Sequence, residues 1–248
     1  WTEPNIAVLK QTASNCRAYG ATVMMQLSCD DTDINLLSAE DIKQMQEDMK
    51  RSAIKACDTG FDGVEYHCAH GFRLCKFLDR AYNQRNDKYG KDAEGRTRFL
   101  TEIIPEIRKN TREKFILSVR MGKFLPEEKD GIETAKIFEK AGFDMLHISW
   151  AMRMPKGQVP EGFICTYMTY NAYEIKREVN IPVIAVNQIR TAEQVKFLIE
   201  NNYADFAAAG RGMLADANFA NHVINGEPVN ACRGCYDNRV DKCNWFSD

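Results

Sequence analysis

Residues 38–67 read SAEDIKQMQEDMKRSAIKACDTGFDGVEYH, and the hydrophobic period changes inside this stretch. Ser38-Ala39-Glu40-Asp41 has the composition of a helix N-terminus with a capping pair, since a short polar side chain can accept from the first free backbone N–H groups. Ile42, Met45, Met49, Ala53 and Ala56 then recur at helical spacing, and Gly60 predicts the stop. Phe61–His67 (FDGVEYH) is short, apolar and rich in strand formers. The stretch is therefore one helix handing over to one strand.

The same grammar extends outward. Ala21–Leu27 (ATVMMQL) predicts a strand upstream, and the chain opens at Trp1 inside what reads as a helix. Downstream come a helix around Phe99, Ile103 and Ile107, strand Phe115–Arg120, a helix over Ile132–Ala141 and strand Asp144–Ser149. A helix through Tyr167–Val179, strand Ile181–Val186, a helix capped by Thr191 with Gln194, and strand Ala204–Ala209 complete the series. Strands that alternate with helices imply a parallel sheet, because parallel neighbours need a crossover connection. Periodicity alone leaves two architectures open, a closed barrel and an open doubly wound sheet.

Composition narrows the function. At 248 residues, 44% hydrophobic and 27% charged, the chain has the size of one α/β domain. Its net charge of −2 is mixed along the sequence, which argues against nucleic acid or an anionic membrane as partner and for a small-molecule substrate. No apolar run approaches the roughly 20 residues of a membrane span. Nine cysteines, an odd number and mostly scattered, argue for a reducing compartment, so the expected location is cytoplasmic.

In either parallel architecture reactive groups gather at the C-terminal strand ends. Those ends carry Gln26, His67 with His70, Arg120, Ser149, Asn187 and the Gly210-Arg211 pair. Two imidazoles in His67-Cys68-Ala69-His70-Gly71 suit a metal or a pair of donors to an anionic oxygen. Glu65 shares a strand face with His67 and reads as a metal ligand or an interior structural group. ADFAAAGRG at 204–212 could bring backbone N–H groups and a guanidinium to a phosphate, although such a turn is more often only a turn. Cys232, Cys235 and Cys243 are candidate ligands of an iron–sulfur cluster or zinc, with ordinary packing thiols as the alternative.

Gly60–Phe99, GFDGVEYHCAHGFRLCKFLDRAYNQRNDKYGKDAEGRTRF, closely resembles the signature of the old yellow enzyme and 2,4-dienoyl-CoA reductase family of FMN barrels. Gln26-Leu27, Ser118-Val119-Arg120-Met121, Pro182–Asn187 and Ala204–Arg211 resemble further motifs of that family. The resemblance implies an α/β fold, a (β/α)8 TIM barrel represented from its third strand onward, with a barrel domain over 1–230 and a cysteine-containing tail over 231–248. It implies that Gln26, Arg120, Asn187, Gly210 and Arg211 hold FMN: Gln26 and Arg120 at the ring, Gly210 and Arg211 at the phosphate. It further implies that His67 and His70 are catalytic and polarise a substrate oxygen, with NAD(P)H as reductant and an α,β-unsaturated carbonyl as oxidant. Oligomeric state, substrate and the choice of NADH or NADPH are left open.

Four positions depart from the family pattern. Phe72 replaces a tyrosine that often supplies a proton. Asn187-Gln188 replace glycines in the phosphate loop. Ser28–Leu37 is a shortened loop, and the first two βα units are absent. The cysteine tail resembles a [4Fe–4S] branch of the family, but Arg239 stands where the third cysteine belongs. Two alternatives follow: a flavin and iron–sulfur dehydrogenase or demethylase of amines, and a degenerate barrel without activity.

Overall fold

The computed structural model describes residues 1–234. Helix α1 (Glu3–Ala18) precedes strand β1 (Met24–Leu27), and a 3-10 turn at Ile34–Leu36 leads into α2 (Ala39–Asp58) and β2 (Gly63–Cys68). Next come α3 (Arg73–Leu78), α4 (Ala93–Thr101), α5 (Ile104–Asn110), β3 (Ile116–Gly122), α6 (Glu128–Ala141) and β4 (Met145–Ser149). The series ends with α7 (Tyr167–Lys176), β5 (Val183–Val186), α8 (Ala192–Glu200), β6 (Phe206–Ala208), α9 (Gly210–Ala215) and α10 (Phe219–Asn225).

Strand order decides between the two architectures. The six strands lie in one parallel sheet in the order β1-β2-β3-β4-β5-β6. A doubly wound sheet reverses direction at a switch point, and this one never does. The sheet curls as part of a (β/α) barrel, with β1 and β6 as its two edges.

Side-chain alternation separates the two faces. Val64, Tyr66 and Cys68 of β2, Leu117, Val119 and Met121 of β3, and Leu146 and Ile148 of β4 are fully buried on the outer face. They join Ile42, Ala53, Phe99, Phe138 and Ile175 from the helices in one core. Each such side chain contributes about 1.5–3 kcal/mol on burial. The inner face instead carries Gln26, Glu65, His67, Ser118, Arg120, His147 and Ser149. At the β6 edge of this face Phe206 is 50% exposed.

The capping pair at Ser38 is present as a full box: Ser38 accepts from the Asp41 N–H, and Asp41 accepts from the Ser38 N–H. Thr191 likewise accepts from the Gln194 N–H. One expected helix is two. The segment around Phe99–Ile107 divides into α4 and α5 because Pro105 sits in the first turn of α5, where its missing N–H costs nothing. The strands begin one to three residues later than their apolar runs suggest. Asp62 shows why, since its side chain accepts from the Val23 N–H and closes the sheet's N-terminal rim.

Candidate functional site

Parallel register brings the polar residues of the inner face into two rows. Gln26, Glu65 and Ser118 are direct neighbours across β1, β2 and β3. One step toward the C-terminal rim, His67, Arg120 and His147 are neighbours across β2, β3 and β4. Ser149 lies beyond them at the end of β4.

His70 reaches the same place from a turn. Its φ of 62° is left-handed, a conformation rare outside glycine, and its N–H donates to the Trp150 carbonyl at 3.1 Å. The ring then packs 4.8 Å from that of His67 and 4.5 Å from Trp150. His70 Nε2 and Ser149 Oγ are 2.8 Å apart, and Arg120 Nη2 donates to the same hydroxyl at 3.4 Å. Ser149 thus ties His70 and Arg120 into one cluster with His67.

Electrostatics set the protonation of this cluster. Burial, the Arg120 charge and the neighbouring His67 push His70 down to about 4. Burial and Arg120 lower His67 as well. Both imidazoles are therefore neutral at pH 7, able to offer one N–H each without carrying charge. The guanidinium of Arg120 keeps the fixed positive charge. His67 Nδ1 and Arg120 Nε are buried without a hydrogen-bond partner among the described residues. Buried donors normally have partners, so these two fit a ligand with acceptor atoms. An anionic, acceptor-rich ring edge of the kind FMN presents matches the Arg120 guanidinium, and a single substrate oxygen matches the imidazoles.

The remaining predicted residues sit further round the rim. Gln26 is exposed at the end of β1, and its Nε2 donates to Glu65 at 2.7 Å. Asn187 follows β5 and Gly210-Arg211 follow β6, which places the two loops beside each other because β5 and β6 pair. A Cβ added at Gly210 would meet nothing within 4 Å, so space beside it is open. Cys232 lies in an open depression of about 510 Å³ with Cys165, Gln188 and Arg190. Cys235 and Cys243 lie outside the described residues. Among the described residues, no three of His, Cys, Asp and Glu are grouped to hold a metal ion.

The loop where the resemblance expects glycines keeps a glycine-like backbone. Asn187 has φ 113° and Gln188 φ 53°. Thr166 Oγ1 donates to Asn187 Oδ1 at 2.9 Å and Thr169 Oγ1 to the Asn187 carbonyl at 3.3 Å, which holds the turn. A left-handed residue costs about 1–2 kcal/mol, of which a glycine would forfeit about 0.5–1 kcal/mol in chain entropy. Gln188→Gly is therefore expected to raise the Tm by about 2 °C, read by thermal circular dichroism. An unchanged Tm would mean that the bond from Arg190 Nη2 to Gln188 Oε1 outweighs the strain.

Phe72 is 45% exposed, with its ring 5.4 Å from that of His67. No tyrosine of α7 replaces it there. Tyr170 packs on Phe163, Tyr173 on Tyr203, and the Tyr167 ring covers Gly157, as a packing stripe would. Sequence reading passed over His147 and Trp150. Both lie in the run LHISW at 146–150, where His147 is two residues before Ser149 and so on the same strand face.

Comparison with known proteins bears on the family and the fold. The model of the NADH:flavin oxidoreductase / NADH oxidase family matches residues 2–230. An NADH oxidase of Thermoanaerobacter brockii is 35% identical over 211 residues, 80% of this chain and 32% of that protein. A cinnamate reductase of Clostridium sporogenes is 30% identical over 239 residues, covering 85% and 35% respectively. The chain thus spans about a third of the length of these relatives. Among solved structures, a 2-naphthoyl-CoA reductase complex superposes with TM-score 0.78 at 21% identity, over 95% of this chain and 43% of that one. An old yellow enzyme homologue from Zymomonas mobilis gives 0.73 at 18% identity, over 94% and 75%. The solved structures establish the barrel fold, and the family match establishes kinship: the chain belongs to the NADH:flavin oxidoreductase / NADH oxidase family of FMN-dependent oxidoreductases.

Proposed function

We propose that the protein binds FMN against the inner face and reduces an α,β-unsaturated carbonyl compound with NAD(P)H as electron source. The observation that carries the reading is the convergence of two neutral imidazoles and one fixed guanidinium at the C-terminal rim, linked through Ser149. FMN, when bound, supplies a hydride acceptor and donor. The chain's own residues do the rest. Arg120 places a permanent positive charge where the reduced cofactor is anionic. His67 and His70 hold the substrate oxygen by hydrogen bonds and polarise the conjugated double bond. Asn187, Gly210 and Arg211 hold the phosphate. Phe72 has no proton to give, so the substrate carbon takes its proton from another acid or from water.

The relatives support a conjugated substrate, since one is named for cinnamate and a structural neighbour for a naphthoyl thioester. The test is the visible spectrum of the purified protein, supplied with FMN if needed. Flavin bands are expected to bleach on anaerobic addition of NADH or NADPH and to return when an unsaturated aldehyde or acid is added. A protein that takes up no FMN, or whose reduced flavin only oxygen reoxidises, would overturn the reading.

A further inference from the structure

The inner face buries a carboxylate that the proposed reaction does not use. Glu65 of β2 has a side chain only 13% exposed. Three strands supply its partners. Gln26 Nε2 donates to Oε1 at 2.7 Å from β1, Ser118 Oγ donates to Oε2 at 3.3 Å from β3, and His147 Nδ1 lies 3.0 Å from Oε2 on β4. The carboxylate therefore bridges the two polar rows, one ending in Gln26 and the other containing Arg120.

Burial alone would raise its pKa, but the bonds from His147 and Gln26 and the Arg120 charge prevail, and the group is held below the usual glutamate value. Glu65 is an anion at neutral pH. Two consequences follow. By taking the Gln26 N–H, it fixes which way the amide faces, leaving Oε1 as the atom offered to a ligand. Its negative charge also offsets part of the Arg120 charge beneath the same ligand.

We propose that Glu65 is a positioning residue of the flavin site: it orients the Gln26 amide and sets the balance of charge against Arg120, and so governs how strongly the protein prefers reduced over oxidised FMN. The inference rests on the FMN reading above. A residue that only packed the barrel interior would change stability without changing that preference.

Two substitutions separate charge from orientation. Glu65→Gln keeps the length and one acceptor oxygen for the Gln26 amide but removes the anion. The ratio of dissociation constants, oxidised over reduced FMN, is expected to rise by about tenfold, or about 30 mV in a two-electron potential. Glu65→Asp keeps the charge but withdraws the carboxylate from Gln26 by one methylene. Both dissociation constants are then expected to weaken by about tenfold in parallel, with their ratio unchanged.

Both constants come from fluorescence titration with FMN, oxidised and dithionite-reduced, and need no turnover. A Glu65→Gln ratio within twofold of the unsubstituted protein, or a Glu65→Asp protein with both constants unmoved, would overturn the proposal. If Glu65→Gln does not fold, the same ratio is measured in Glu65→Ser, which also removes the anion, and the same twofold criterion applies. Failure of the unsubstituted protein to take up FMN sinks the flavin reading and this inference with it. Uptake with an unmoved ratio sinks this inference alone.

Discussion

Replacing His67 and His70 together by alanine is expected to lower kcat/KM for reduction of an unsaturated carbonyl by about 10³-fold while FMN stays bound. A single hydrogen-bond donor to a developing oxyanion is worth about 10²-fold or more in rate. Both imidazoles act on one oxygen, so either single substitution already costs about 10²-fold and the two do not multiply fully. The pH profile adds a second signature. Since His70 is pushed down to about 4 and His67 is lowered below the ordinary histidine value, both rings are mainly neutral between pH 7 and 8. Oxidation of the reduced flavin should be level across that interval, as followed by stopped-flow absorbance. A sigmoid near the ordinary histidine value would show that one ring works as the imidazolium, contrary to the geometry.

Arg120→Met is expected to act on the cofactor rather than on the substrate. Removing the one fixed cation of the cluster leaves Glu65 as the dominant nearby charge. Affinity for reduced FMN should fall by about 10²-fold more than affinity for oxidised FMN, which lowers the two-electron potential by about 60 mV. Reduction by NAD(P)H slows accordingly, and the change is opposite in sign to that of Glu65→Gln. Spectroelectrochemical titration against a dye of known potential measures it. An unchanged potential would place Arg120 outside the flavin's field and leave its role to Ser149 and His70 alone.

How far the sequence carries toward this site depends on the range of the interactions. The alternation of α2 and β2, the Ser38 cap and the strand-end positions of Gln26, His67 and Arg120 are local patterns, and each is written in a few consecutive residues. The choice between barrel and doubly wound sheet is not local, because it depends on which strands pair. Glu65 and His147 are 82 positions apart, and nothing in either neighbourhood announces that one carboxylate will join them. The division of α4 from α5 was legible in Pro105, but the apolar spacing of Phe99, Ile103 and Ile107 runs across it. Asn187 and Gln188 mislead in the other direction. Their side chains suggest a changed phosphate loop, whereas the neighbouring threonines hold the backbone in the left-handed turn that glycine would adopt.

The curled sheet has two free rims, β1 and β6, and each presents a row of main-chain groups that no neighbouring strand occupies among the described residues. Such rims template the addition of a further strand whatever its side chains, because the attraction lies in the peptide groups. At β1 and β6, then, what would recognise a further strand is the spacing of peptide N–H and C=O groups rather than any side chain.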